Sequence, residues 1–172
     1  RQSSDIYFPA KNQPGPYPVI LYRTPYSNQM DYLLERGKYF SQNGYVVVCQ
    51  DVRGRHDSAG EFIRWKHEFT DGNETINWIG NQEWCDGNVG MAGPSYLGYV
   101  QWQAACMEND FLKCIIPTVM SGDLHEAPHY QGGAFQLALN TTWSFRTDGK
   151  TMQTIDDYDW ERLFYHLPIR DI

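Results

Sequence analysis

The segment that most constrains the fold is Val89–Ala105, VGMAGPSYLGYVQWQAA. Gly93, Pro94 and Ser95 separate a short apolar run from an alanine-rich segment. Where a strand turns sharply into a helix, glycines beside the turn leave room for the two backbones to pass closely. The pattern predicts a nucleophile elbow, in which a buried strand ends at Ser95 and a helix begins directly behind it.

The glycine spacing leaves a second interpretation open. The common elbow pattern has a glycine two residues after the serine, whereas Gly98 lies three residues after Ser95 and Leu97 occupies the usual place. A plain Gly/Pro turn with no chemical role is the alternative for the same residues.

Strand and helix signals alternate through the first two thirds of the chain. Apolar runs that would be buried on both faces predict parallel strands, and helical spacing lies between them. The predicted strands are Tyr17–Arg23, Tyr45–Gln50, NVGMAG and Leu112–Val119, and the predicted helices cover Leu33–Phe40, a segment from Asp71 or Asn73 through Ile79, and the residues after Ser95. The expected fold class is α/β, with a mainly parallel sheet flanked by helices and functional groups at the carboxyl ends of the strands. No convincing strand is predicted after Val119.

Composition excludes several classes of partner. The formal net charge is −7, and Lys and Arg are scattered, so we expect no nucleic-acid ligand. No apolar run approaches the ~20 residues that cross a bilayer, so no membrane span is predicted. The sequence does not decide whether the protein forms a homo-oligomer. It also leaves two compartments open: the cytoplasm, or export with a leader outside this chain. The irregularly spaced Cys49, Cys85, Cys106 and Cys114 are expected to be buried free thiols rather than disulfides or a metal site.

Three motifs occur in a fixed order: QDVRGRHDSAGEF, WIGNQEWCDGNVG and GMAGPSYLGYVQWQAA. Together they closely resemble the cocaine esterase/NonD hydrolases, which include α-amino-acid ester hydrolases, glutaryl acylases and X-prolyl dipeptidyl peptidases of the peptidase S15 type. The Gly-x-Ser-Tyr-x-Gly spacing is that family's own variant. The resemblance implies an α/β-hydrolase fold and a serine nucleophile, Ser95, which is acylated and then freed by water. It also implies that residues 1–119 are the amino-terminal part of the hydrolase domain and that residues 120–172 begin a helical cap.

Acyl transfer requires hydrogen-bond donors for the oxyanion that forms on the substrate. The amide of Tyr96 is one donor by its position in the elbow. The resemblance implies that Tyr26, in the motif R-x-P-Y, donates its phenol hydroxyl as the second. From the residues alone, a tyrosine packed beside Pro25 in a turn remains the alternative. The expected substrate is a small-molecule ester or amide, and no cofactor or metal is predicted.

The base and the acid of a catalytic triad cannot be assigned in this sequence. Both should follow late strands, and none is predicted after Val119. His125, His129 and His166, with Asp123, Asp148 and Asp156, follow the serine but are not nominated, because they lie in the predicted cap. We expect the triad Asp and His to lie beyond Ile172. Asp51, Arg53 and His56 are also left out of the site, since an Asp-Arg pair that braces a loop is the simpler interpretation.

Two other functions compete with this hypothesis. The motif HEAPH, His125–His129, has the His-Glu-x-x-His spacing of zinc hydrolases, but Pro128 interrupts the helix that such a site requires. A catalytically incomplete or degenerate hydrolase that only binds a ligand is the second alternative.

Overall fold

The computed structural model describes residues 1–10 and 13–166. These residues form two compact units, of which the first ends at Gly122 and the second begins at Asp123. The end of the predicted cap segment, residues 167–172, therefore lies outside the described residues.

A five-stranded sheet forms the centre of the first unit. Its strands are β1 (Ser4–Tyr7), β2 (Tyr17–Thr24), β3 (Val46–Asp51), β4 (Cys85–Pro94) and β5 (Leu112–Thr118), arranged in the order β1-β3-β2-β4-β5. The last four correspond to the four predicted strands and run parallel to one another. The predicted α/β class with a mainly parallel sheet is confirmed.

Strand β1 was not predicted. It pairs antiparallel with β3, with Ser4 opposite Gln50, and all four of its side chains are half-buried. A short edge strand of this kind needs no continuous apolar run, because its order comes from backbone pairing with β3. The local pattern SDIY therefore carries little β signal.

Three helices flank this sheet: α1 (Asp31–Gln42), α2 (Glu68–Gly80) and α3 (Tyr96–Ala105). The second begins before the predicted cap at Asp71 or Asn73. His67 precedes it without a side-chain capping bond, and Glu68 in its first turn is buried against Arg23 at 3.0 Å. A tertiary ion pair, rather than a local capping signal, accompanies the start of this helix.

The core lies on both faces of the central strands. Every residue of β3 is buried, and Leu33, Ile76 and Val100 contribute fully buried side chains from α1, α2 and α3. Burial of this apolar surface is the main stabilising contribution to such a unit. The resulting platform fixes the ends of β2, β3 and β4 at one edge of the sheet.

All four cysteines are free, as predicted, but only Cys49 and Cys85 are buried. The expectation of burial is wrong for Cys106, which follows the end of α3, and for Cys114, which is exposed on the edge strand β5.

The second unit contains a π-helical turn, His125–His129, a two-stranded hairpin of β6 (Tyr130–Gln131) and β7 (Ala134–Phe135), and the helices α4 (Leu137–Arg146) and α5 (Trp160–Phe164). The expectation of no strand after Val119 is wrong for this hairpin. Gly132 and Gly133 join its strands at φ 61° and 82°, which favours a tight two-residue turn. Within the described part of the chain, no helix has the length and apolar character to cross a membrane.

Candidate active site

Ser95 occupies the turn between β4 and α3 in a strained backbone conformation. Its φ of 57° and ψ of −127° are rare for a residue with a side chain. The N–H of Ser95 donates to the carbonyl of Thr118 at 3.0 Å, and its own carbonyl accepts from Gly98 at 2.8 Å. These bonds hold the strain at the turn, and the Ser95 residue remains exposed.

Both predicted glycines are required by close packing at this turn. A Cβ on Gly93 would lie 2.7 Å from the Cβ of Leu97, and Gly93 also has a φ of 132°. A Cβ on Gly98 would lie 2.8 Å from the Cβ of Met120. The predicted strand, sharp turn and helix are confirmed as geometry, whereas the catalytic role of Ser95 stays a prediction.

Tyr26 lies beside the serine. It follows the end of β2, the direct neighbour of β4, and its phenol oxygen is 3.2 Å from the Oγ of Ser95. The backbone N–H of Tyr26 donates to the Oγ1 of Thr24 at 3.0 Å, and its side chain is only half-buried. The phenol therefore faces the serine hydroxyl. This contact is not expected from the alternative interpretation, in which the tyrosine packs only against Pro25.

The side chain of Tyr96 points into the core and has a structural role. It is 1% exposed, its hydroxyl donates to Glu68 Oε1 at 3.0 Å, and its ring stacks on Trp65 at 4.7 Å. Burial, followed by the neighbouring Glu68 carboxylate, raises the pKa of this phenol. What Tyr96 can offer a substrate is its backbone N–H, since it is the first residue of α3 and helix amino ends favour anions.

A buried polar network extends from Tyr96 through the first unit. The guanidinium of Arg23 pairs with Glu68 at 3.0 Å and donates through Nε to Gln50 at 2.8 Å. The hydroxyl of Thr75 donates to the same Gln50 oxygen at 3.0 Å. This network is not among the features predicted from the sequence, although a charged residue inside the apolar run YPVILYRT is a signal for it.

The segment after β3 differs from its predicted arrangement. Arg53 pairs with Asp71 of α2, with Nε 2.9 Å from Oδ2, and not with Asp51. Asp51 instead accepts the backbone N–H of Asn28 at 2.7 Å. The expected Asp-Arg pair thus exists with a different aspartate, which α2 supplies.

Two histidines of the second unit have side-chain partners of their own. Nδ1 of His129 hydrogen-bonds the Oδ1 of Asn140, and the ring of His125 stacks on Tyr130 at 4.7 Å. The HEAPH motif forms a π-helix that contains Pro128, not the α-helix of zinc hydrolases. In residues 1–10 and 13–166, no group of three His, Cys, Asp or Glu side chains is arranged to hold a metal ion.

The histidines and aspartates considered for the triad do not lie in the same compact unit as the serine. His125, His129, His166, Asp123, Asp148 and Asp156 belong to the second unit. In the first unit, neither His56 nor His67 forms a hydrogen bond with Ser95, whose hydroxyl contacts Tyr26.

Comparison with known proteins identifies the family. The model of the X-Pro dipeptidyl-peptidase (S15) family matches residues 1–163. Cocaine esterase of Rhodococcus sp. (strain MB1 Bresler) is 44% identical over 153 residues, which cover 84% of this chain and 26% of that protein. An α-amino acid ester hydrolase structure has a TM-score of 0.67 and 25% identity, over 87% of this chain and 28% of that one.

An aminopeptidase from the marine sediment archaeon Thaumarchaeota archaeon has a similar fold. Its TM-score is 0.74 at 21% identity, over 95% of this chain and 31% of that chain. The chain thus spans about a quarter of the matched cocaine esterase and under a third of these two structures. The family predicted from the motifs is confirmed: the chain belongs to the cocaine esterase/NonD hydrolases, the family of the S15 X-Pro dipeptidyl-peptidases.

Proposed function

We propose that this chain supplies the nucleophile and the oxyanion-binding groups of a serine hydrolase that cleaves carboxylic esters or amides. The observation that carries the proposal is the 3.2 Å separation between the Tyr26 phenol oxygen and Ser95 Oγ at an exposed strand-to-helix turn. A phenol is a neutral, rigid donor near neutral pH, so it suits the anion that develops when a serine attacks a carbonyl.

The reaction proceeds in two halves. Ser95 Oγ attacks the substrate carbonyl carbon and loses its proton to a general base, while Tyr26 O–H and Tyr96 N–H donate to the carbonyl oxygen. The tetrahedral intermediate collapses, the protonated alcohol or amine leaves, and Ser95 carries the acyl group. Water then attacks the acyl ester, the acid is released, and the serine hydroxyl is regenerated.

The general base and its acidic partner are assigned to a part of the protein outside this chain. This assignment is supported by the 26% share of the matched cocaine esterase that the chain spans, and by the absence of an imidazole bonded to Ser95 in the first unit. We also assign residues 1–119 to the hydrolase domain and residues 120–172 to the start of a helical cap. The division of the chain into two compact units between Gly122 and Asp123 supports a boundary near this point.

The names of the relatives support the substrate class. The names cocaine esterase and α-amino acid ester hydrolase support an ester substrate. The family description X-Pro dipeptidyl-peptidase supports a peptide amide. Each of these is a small carbonyl compound attacked at one carbon, so one serine and one oxyanion site serve all of them.

Burst kinetics test the proposal in the full-length protein. With a p-nitrophenyl ester, an acyl-enzyme route predicts a rapid release of one nitrophenol per active site, followed by slower turnover. Ser95→Ala is expected to lose both phases. Hydrolysis that survives Ser95→Ala, or that is lost with stoichiometric zinc on chelation, would contradict the proposed nucleophile.

A further inference from the structure

We propose that Asp51 and Arg55 are positioning residues that hold the phenol of Tyr26 beside Ser95. The inference rests on the proposed function, because it assumes that Tyr26 acts as an oxyanion donor. Neither residue contacts the substrate or belongs to the Tyr26–Ser95 pair in this proposal. Each would act only through the loop that carries Tyr26.

The two side chains bind the backbone on opposite sides of Tyr26. Nε of Arg55 donates to the carbonyl of Pro25 at 2.8 Å. Oδ1 of Asp51 accepts the N–H of Asn28 at 2.7 Å. The segment from residue 25 to residue 28 is thus fixed at one end by the last residue of β3 and at the other by the loop that follows this strand.

The segment between these two bonds is strained. Ser27 has a φ of 118°, a value that residues with side chains rarely adopt. Such a conformation persists only where the surroundings impose it. The hydrogen bonds at Pro25 and Asn28 flank the strained residue, and they therefore determine the direction in which the Tyr26 ring leaves the loop.

Burial makes both anchors rigid. Asp51 and Arg55 are fully buried, and the guanidinium of Arg55 also lies 5.2 Å from the ring centroid of Phe62. Burial raises the pKa of the Asp51 carboxyl above its ordinary value, and the Asn28 N–H and the charge of His56 offset only part of that rise. Buried charges are costly unless hydrogen bonds and packing satisfy them, so their place beneath this short loop needs a structural reason.

The catalytic consequence follows from how steeply rate depends on position. A displacement of ~1 Å at a reacting group can cost about 100-fold in rate. The Tyr26 ring is attached to a loop rather than to a strand or a helix, so its placement depends on the loop's anchors. Loss of either anchor is expected to lower kcat through Tyr26 and to leave KM nearly unchanged.

A double-mutant cycle in the full-length enzyme tests this inference. Asp51→Ala is compared with Asp51→Asn, which keeps an oxygen acceptor for the Asn28 N–H, and each is made in the wild-type and the Tyr26→Phe background. We expect Asp51→Ala to lower kcat by about 10- to 100-fold when Tyr26 is present, and by less than about threefold in Tyr26→Phe. Asp51→Asn should restore most of kcat. Equal losses in the two backgrounds would overturn the positioning role.

Controls separate this test from folding and from the proposed function. Arg53→Lys alters the loop that carries Arg55, at a residue that pairs with Asp71, and it should leave kcat unchanged. If Asp51→Ala does not fold, the same cycle with Arg55→Lys decides the question. That change keeps a positive charge but removes the Nε donor that binds the Pro25 carbonyl. A Tyr26→Phe variant with wild-type kcat would overturn the oxyanion role and the positioning role together. If Tyr26→Phe lowers kcat, but Asp51→Ala lowers kcat by the same factor with and without the phenol, only the positioning role would be overturned.

Discussion

The phenol oxygen of Tyr26 and the Oγ of Ser95 lie 3.2 Å apart, although 69 residues separate them in the sequence. The contact arises because β2 and β4 are neighbours in a parallel sheet, with Leu21 opposite Met91, so the residues after their carboxyl ends meet at one edge. The geometry gives each residue a distinct expected role, and each role can be measured.

Removal of the Tyr26 hydroxyl should slow the chemical step. We expect Tyr26→Phe to lower kcat by about 10²- to 10³-fold, the usual cost of one oxyanion donor, with little change in KM. Thermal stability should stay near that of the wild type, because the hydroxyl contacts an exposed residue, Ser95. Tyr39→Phe, at an exposed tyrosine of α1, is the matched control. A wild-type kcat in Tyr26→Phe would exclude the phenol from the oxyanion site.

Close packing at the elbow predicts a large effect of a single methyl group. Gly98→Ala places a Cβ 2.8 Å from the Cβ of Met120 and 3.4 Å from two backbone oxygens. We expect a loss of about 1–3 kcal/mol in the free energy of unfolding, despite the better helix propensity of alanine. Urea unfolding measures it, with Gly122→Ala as control, because a Cβ there meets nothing within 4 Å. Equal stabilities would show that the elbow tolerates a side chain at this position.

The buried hydroxyl of Tyr96 should contribute to stability rather than to catalysis. Tyr96→Phe removes the donor to Glu68 and leaves a buried carboxylate with one partner fewer. The expected cost is about 1–3 kcal/mol in the free energy of unfolding, while kcat falls little because the backbone N–H remains. Paired measurements of unfolding and kcat distinguish the two effects. A large fall in kcat with unchanged stability would assign the side chain to the chemistry.

Cys49 should make stability depend on pH in the alkaline range. Burial, aided by the charge of Asp5, raises the pKa of its thiol from 9.0 to about 12. In that interval the unfolded chain releases the proton and the folded chain keeps it. The contribution of the neutral buried thiol to stability is therefore fully present below pH 9 and is lost as the pH rises toward about 12.

Urea unfolding across this interval, under reducing conditions, measures that dependence. Cys49→Ala should show a shallower decline of stability with pH than the wild type. Burial also raises the pKa of Tyr22 to about 12, and the charge of Cys49 adds to that rise, so the comparison measures Cys49 together with its effect on Tyr22. Parallel declines in the two proteins would contradict a raised pKa for Cys49.

The local part of the site could be predicted from sequence. A serine between glycines, after an apolar run and before a helical pattern, defines the elbow within about ten residues. One of its glycines, Gly93, reflects a contact inside that segment, with Leu97. The parallel strands were equally accessible, since burial on both faces requires continuous apolar runs. Tyr26 was identified only through the resemblance to a family, because no local pattern shows which distant loop faces the serine.

The long-range polar contacts could not be predicted. Glu68 and Arg23 are 45 residues apart, and Asp51 and Asn28 are 23 apart. Each side chain has several partners of suitable chemistry in the sequence, and only the packing of α2 and of the end of β3 selects among them. The incorrect pairing expected for Arg53 and the missed start of α2 at Glu68 have this same cause.

Covalent labelling tests the central claim most directly. A fluorophosphonate probe reacts with a serine hydroxyl that has been activated for acyl transfer, and peptide mass spectrometry locates the adduct. In the full-length protein, the account predicts one adduct per chain on Ser95, slower labelling in Tyr26→Phe, and none in Ser95→Ala. An adduct on another residue, or full labelling that persists in Ser95→Ala, would contradict it.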